Sequence, residues 1–153
     1  MKTIVIGSDH AGFRLKELIK TVLEKEGCRI EDVGTHDEQP VDYPDYAEKV
    51  ALAVLGKRGS RGILTCGTGI GASIAANKIP GIRAALVCNE EDARLSREHN
   101  DANLLVLGGW EYDGEKVPRI VKSWLREKFE GGRHRRRLNK IARIEKKYLK
   151  KCE

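Results

Sequence analysis

Gly62-Ile63-Leu64-Thr65-Cys66-Gly67-Thr68-Gly69-Ile70-Gly71-Ala72-Ser73-Ile74-Ala75-Ala76-Asn77-Lys78 opens as a short apolar strand, turns through alternating glycines and continues as a helix from Ile70 to Lys78. Alternating glycines let the backbone turn tightly and aim several N–H groups at one point, and the helix that follows adds the positive end of its dipole. The turn is therefore an anion hole, suited to a phosphate or to an oxyanion that develops during a reaction. A strand that delivers such a turn to a helix is one half of a β-α-β unit, and the flanking sequence supplies further units.

Upstream, Lys2 to Gly7 carries Ile4, Val5 and Ile6 in a row, as a strand covered on both faces would. From Phe13 to Glu26 the residues Leu15, Leu18, Ile19, Val22 and Leu23 fall at helical spacing, and Gly27 is placed for a left-handed cap. Arg29 to Val33 reads as a second strand, Gly34 to Pro44 as a loop and Tyr46 to Leu55 as a helix closed by Gly56. Downstream, Arg83 to Cys88 and Asn103 to Leu107 read as strands, Glu90 to Glu98 and Glu115 to Phe129 as helices. This alternation predicts right-handed crossovers and a three-layer α/β/α sandwich around a parallel sheet of about five strands.

The 153 residues suit one domain, 1–153, with a basic helical arm at about 131–151. The net charge of +6 is uneven: residues 131–153 carry ten Lys or Arg against two Glu, leaving the first 130 residues slightly acidic. No window approaches the roughly 20 apolar residues of a membrane span, so no membrane partner is expected. The N-terminus lacks an export signal, which predicts a cytoplasmic protein. Cys28, Cys66, Cys88 and Cys152 form no C-x-x-C pair, so free thiols and no metal site are expected.

Ligands of open parallel sheets bind beyond the carboxyl ends of the strands, and the candidate residues are sought there. Cys66 reads either as a thiol whose pKa the helix terminus lowers, giving a base or nucleophile, or as a small buried hydrophobe. Cys28 and Cys88 read as core. Asp9-His10 is placed to bind hydroxyls or phosphate, and His99-Asn100 to supply a proton donor beside an orienting amide, both at strand-top loops. The alternative is that each histidine is structural; His36 reads as surface. Arg133 and Arg137 are four apart and on a helix would grip a phosphate jointly. The same basic run could be a solvated face or a nucleic-acid patch, but no aromatic is interleaved and no nucleic-acid partner is expected. Gly67, Gly69 and Ala72 also satisfy a dinucleotide fingerprint, with Glu90 or Glu91 about 20 residues on, but the motif follows the third strand and not the first.

Six motifs in order, namely Ser8-Asp9-His10-Ala11-Gly12, Asp42-Tyr43-Pro44-Asp45-Tyr46-Ala47, the Cys66–Lys78 segment, Gly81-Ile82-Arg83-Ala84-Ala85, His99-Asn100-Asp101-Ala102-Asn103 and Gly131-Gly132-Arg133-His134, resemble the ribose-5-phosphate isomerase B family. That family also holds isomerases of allose and galactose 6-phosphates. The resemblance implies a Rossmann-like fold, a homodimer or tetramer with its active site at the subunit interface, a phosphorylated sugar substrate and no cofactor. It implies Cys66 as the base that moves a proton between C1 and C2, with Thr68 beside it, and the amides from Gly67 through Gly69 and Ile70 to Gly71 on the enediolate. His99 would open the sugar ring, Asp9 and Asn100 would bind substrate oxygens, and His10, Arg133 and Arg137 the phosphate. Relatives that lack the cysteine use a glutamate where this chain has Gly71, which implies the cysteine type. Many relatives carry Arg where this chain has Trp110. The assignment requires Cys66 and its turn to face the same cavity as Arg133 and Arg137, in some subunit arrangement.

Overall fold

The computed structural model describes residues 2–149. The elements run β1 Thr3–Ser8, α1 Phe13–Lys25, β2 Arg29–Asp32, α2 Tyr43–Leu55, β3 Arg61–Cys66, α3 Ile70–Ala76, β4 Ala84–Leu86, α4 Glu90–Glu98, β5 Leu104–Gly108, α5 Lys116–Arg126 and α6 Gly132–Leu149. Cys152 and the last two residues of the expected arm lie outside the described residues.

All five strands are parallel, in the order β2-β1-β3-β5-β4. Alternate strand residues feed two cores, which is why the strands read as unbroken apolar runs. Ile4, Ile6, Ile63, Leu105 and Leu107 pack with α1 and α5 on one face, whereas Val5, Leu64, Leu104 and Val106 pack with α2 and α3 on the other. The three-layer Rossmann-like sandwich is thus the expected one. Gly27 takes a φ of +69° as the expected left-handed cap, and Cys28 N donates to Leu23 O across it at 3.0 Å.

Several boundaries differ from the sequence reading: α3 ends at Ala76, not Lys78, and α5 at Arg126, not Phe129. α2 begins at Tyr43, not Tyr46, with Pro44 in its first turn, where a fixed φ and a missing N–H cost nothing. β4 keeps only three residues, and Cys88, expected in the core, is exposed beyond its end. Among the described residues no helix is long and apolar enough to cross a membrane.

One polar device lies inside the core. The Lys16 ammonium is fully buried and meets Asp32 at 2.7 Å, and Asp32 also accepts from Lys20 and from Gly34 N. Burial alone would raise the Asp32 pKa, but hydrogen bonds from Lys16, Gly34 N and Lys20 outweigh it and hold the carboxyl below its usual value. A depressed folded-state pKa contributes stability above the unfolded value near 4, and that contribution fades as pH falls through the lower folded value. Asp32→Asn should therefore destabilise by about 3 kcal/mol at pH 7, the low end for a broken buried pair because Glu17 remains 3.4 Å from Lys16. In urea melts the gap to wild type should narrow below about pH 4; a gap independent of pH would exclude the ion pair as its source.

Candidate active site in two halves

β1 and β3 lie side by side where the sheet order reverses, α1 leaving toward one face and α3 toward the other, so the crevice of an open α/β sheet opens between their ends. Their loops are tied together. Asp9 N donates to Thr65 O at 3.2 Å, Thr65 Oγ1 to Gly12 O at 2.8 Å and Gly12 N to the Asp9 carboxylate at 2.9 Å. Asp9 is thereby buried, with one oxygen engaged by its own loop. His10 Nδ1 lies 3.1 Å from both the N and the O of Val41, which ties its ring to the loop before α2.

Cys66 ends β3 with its sulfur accepting from Gly69 N at 3.1 Å. Gly69 takes a φ of +82°, and a Cβ there would meet Leu86 at 2.5 Å, so this position of the turn requires glycine. Thr68 is exposed and its hydroxyl accepts from Ile70 N at 3.1 Å. The turn is also held from the end of β5, where Gly109 N donates to Cys66 O and Trp110 N to Gly67 O. Two aromatic rings flank it: Tyr43 lies against Gly71, and Trp110, 71% exposed, against Gly67. A cavity of about 490 Å³ opens beside Trp110, with Thr68, Leu86, Cys88, Tyr112 and Lys116 among its walls. Tyr43 had no assigned role in the sequence reading, although its motif was singled out, because the helix start that carries it to the turn was placed three residues late.

Of the two readings of the thiol, its burial fits the second and opposes a lowered pKa. Cys66 is only 4% exposed, and burial pushes its pKa up. Hydrogen bonds from the amides of Ala72, Gly69 and Thr68 oppose the rise, while the nearby Asp9 charge adds to it. Removing a thiolate from water costs more here than the turn amides return.

His99 and Asn100 correct a second expectation. They follow α4 and precede β5, so they lie at the amino ends of the strands, not at a strand top. Gly62 pairs with Leu104 at that end and Cys66 with Gly108 at the other, about 13 Å further along β3. Asp101, at a φ of +45°, shapes the loop with Arg97 at 2.8 Å and Arg83 at 3.3 Å.

The start of α6 joins this second half. His134, buried to 4%, stacks on His99 with ring centroids 4.1 Å apart and planes 10° from parallel. Arg133 Nε donates to His134 Nε2 at 3.4 Å, and Glu130 lies 3.5 Å from the same nitrogen. Burial lowers the His134 pKa, and the charges of His99, Arg133 and Arg137 lower it further against Glu130. The ring is therefore neutral at pH 7. Arg133 and Arg137 are exposed and share the expected helix face. His99, Glu130 and His134 are the one cluster of potential metal ligands among the described residues, but a guanidinium on the same imidazole nitrogen favours an anion there over a cation.

The structure thus assembles Asp9, His10, Cys66, Thr68 and the Gly67–Gly71 amides at one end, and His99, Asn100, Arg133 and Arg137 at the other. Within one chain the sulfur and the arginine pair do not share a cavity. Glu90 and Glu91 open α4, exposed, with Glu91 paired to Arg94, and form no ribose site with the turn.

Fold and site define a Rossmann-like α/β protein with a glycine turn at the strand tops, a strand-end thiol and a separate pair of exposed arginines. The chain belongs to the Ribose/Galactose Isomerase family, whose profile matches residues 4–141. It is 47% identical over 147 residues to ribose-5-phosphate isomerase B of Escherichia coli K12, covering 96% of this chain and 99% of that one. The structure of Clostridium thermocellum ribose-5-phosphate isomerase B superposes with a TM-score of 0.93 at 53% identity, covering 95% of this chain and 99% of that one. That of Mycoplasma genitalium ribose-5-phosphate isomerase B with bound ribulose 5-phosphate gives 0.88 at 42% identity, covering 94% and 96%.

Proposed function

We propose that this chain interconverts D-ribose 5-phosphate and D-ribulose 5-phosphate, a step of pentose phosphate metabolism. The observation that carries the reading is the Cys66 sulfur under an amide-lined turn at the switch point of the sheet, in a chain 47% identical to a ribose-5-phosphate isomerase. Ring opening breaks the bond from C1 to the ring oxygen; that oxygen gains a proton and the anomeric hydroxyl loses one, exchanges suited to His99. Cys66 as thiolate then removes the C2 proton, the resulting enediolate is held by the amides of the turn, a proton passes from the C2 oxygen to the C1 oxygen, and the thiol returns its proton to C1. Asp9 and Asn100 hold sugar oxygens, with Thr68 at the turn. His10, Arg133 and Arg137 hold the phosphate, which fixes C1 and C2 relative to the sulfur. The chemistry moves protons only and calls for no redox cofactor.

Because the halves lie at opposite ends of the sheet, the complete site takes His99, Asn100 and the arginines from a second copy. An apolar surface suits that copy: Leu52, Leu55, Ile70, Ile74, Ile141 and Ile144, on α2, α3 and α6, are each 44% exposed or more. The need for a free thiol at Cys66 fits a reducing cytoplasm.

A panel assay with ribose 5-phosphate, allose 6-phosphate and galactose 6-phosphate tests the reading, because Trp110 walls the turn and bears on sugar length. Highest kcat/KM with the pentose supports it; preference for a six-carbon substrate overturns it. Arg137→Ala should raise KM about tenfold or more and change kcat little, since a lost charge-assisted phosphate contact weakens ground and transition states alike. Initial rates check this, and an unchanged KM would remove Arg137 from the clamp.

A further inference from the structure

We propose that His134 is the positioning residue for His99, its ring serving as a fixed platform that holds the plane of the His99 imidazole toward the sugar ring. The inference rests on the isomerase reading above, in which His99 exchanges protons during ring opening. Three observations carry it. The rings lie face to face, 4.1 Å apart and within 10° of parallel, so rotation of His99 about χ2 would drive its edge into the neighbouring ring. The platform itself does not move freely: His134 is 4% exposed, sits in the first turn of α6 and has its Nε2 engaged by Arg133 and close to Glu130. His99 by contrast is half-buried at the C-terminal cap of α4, and the ring that stacks on it comes from α6.

The arrangement also couples two tasks. Arg133, assigned to the phosphate, donates to His134, and His134 stacks on His99, so the phosphate clamp at the start of α6 and the ring-opening group at the end of α4 are joined through one stack. Side chains that hold a proton donor within a fraction of an ångström act on turnover more than on binding.

The test compares His134→Ala, which removes the platform, with His134→Phe, which keeps a flat ring without nitrogens. With ribose 5-phosphate, which must open its ring, His134→Ala should lower kcat about tenfold while KM stays within about twofold. With open-chain ribulose 5-phosphate kcat should fall less, and His134→Phe should recover most of the loss in both directions. Independently of turnover, the His99 ring-proton NMR resonances should move downfield in His134→Ala, as the stacked ring's shielding is lost, and stay near their wild-type positions in His134→Phe. Unmoved His99 resonances in His134→Ala would overturn the stack, and a Phe variant as impaired as Ala would overturn the platform role. Wild-type enzyme inert toward ribose 5-phosphate would instead overturn the functional reading, with the resonances still reporting on the stack. Thermal melts monitor folding, and if the Ala variant does not fold, the Phe variant alone decides, since it must keep near wild-type kcat.

Discussion

Cys66→Ala should lower kcat for ribose 5-phosphate by about a thousandfold, within the usual range for removing a general base, and leave substrate affinity within a few-fold of wild type. The asymmetry follows from geometry. The turn keeps its amides in the variant, because Gly69 and the contacts from Gly109 and Trp110 hold the backbone in place. What is lost is the sulfur that accepts from Gly69 N within the turn. Calorimetric titration of the inert variant with ribose 5-phosphate measures the affinity directly, and near wild-type kcat would remove Cys66 from the base role. The raised thiol pKa adds a pH signature. The thiolate is the base, burial keeps the thiol protonated at neutral pH, and kcat/KM should therefore still be rising above pH 8. Site-resolved alkylation with iodoacetamide should show Cys66 reacting faster as pH increases over the same range. A plateau below pH 8 would mean that the bound phosphate or the second copy restores the lowered pKa that the turn alone does not provide.

The fold was legible because the sheet is buried on both faces. Runs such as Ile4-Val5-Ile6 carry no alternation when both sides are covered, and helices of 3.6-residue period between them leave little choice but parallel crossovers. The helix start at Tyr43 was not legible, because a proline preceded by acids reads as loop until the first turn is seen to tolerate it. The first half of the site was legible for a similar reason: Cys66, Thr68 and the glycines are contiguous in sequence, so their placement follows from one strand and one turn. The environment of the sulfur was not. Whether dipole or desolvation sets a thiol pKa depends on how completely the neighbouring chain closes over it, and here Asp9 and the loop from β1 come from far away in sequence.

The second half shows the opposite pattern. His99, Asn100, Arg133 and Arg137 were all identified as residues, but the end of the sheet that carries His99 and Asn100 was assigned wrongly, because a helix that follows a strand-top loop returns to the opposite edge before the next strand begins. His134 and Tyr43 were passed over although each stood inside a quoted motif. Neither has a composition signal; a stacked imidazole and a ring lying on a glycine are tertiary facts.

Mixing two inactive variants should restore activity, and this is the strongest test of how the halves meet. Cys66→Ala lacks the base at one end of the sheet; the double variant His99→Asn, Arg137→Ala lacks the ring-opening group and half of the clamp at the other. If each site joins the sulfur end of one copy to the arginine end of another, a hybrid dimer has one site with every defect and one site with none. Random assortment makes half of the dimers hybrids, each with one of two sites intact, so the mixture should regain about a quarter of wild-type turnover. Against two parents each reduced by orders of magnitude, that recovery is unmistakable in a coupled rate assay after co-refolding. Sites built within single chains predict no recovery at all, because every chain in the mixture would carry one defect in its own site. The same experiment with Cys66→Ala and a second substitution at the same end, Asp9→Asn, separates the alternatives further. Both defects then belong to the same half, each hybrid site receives one of them, and activity should stay at the level of the parents. Recovery in this control would place Asp9 and Cys66 in different sites, contrary to the loop contacts that bind β1 to β3.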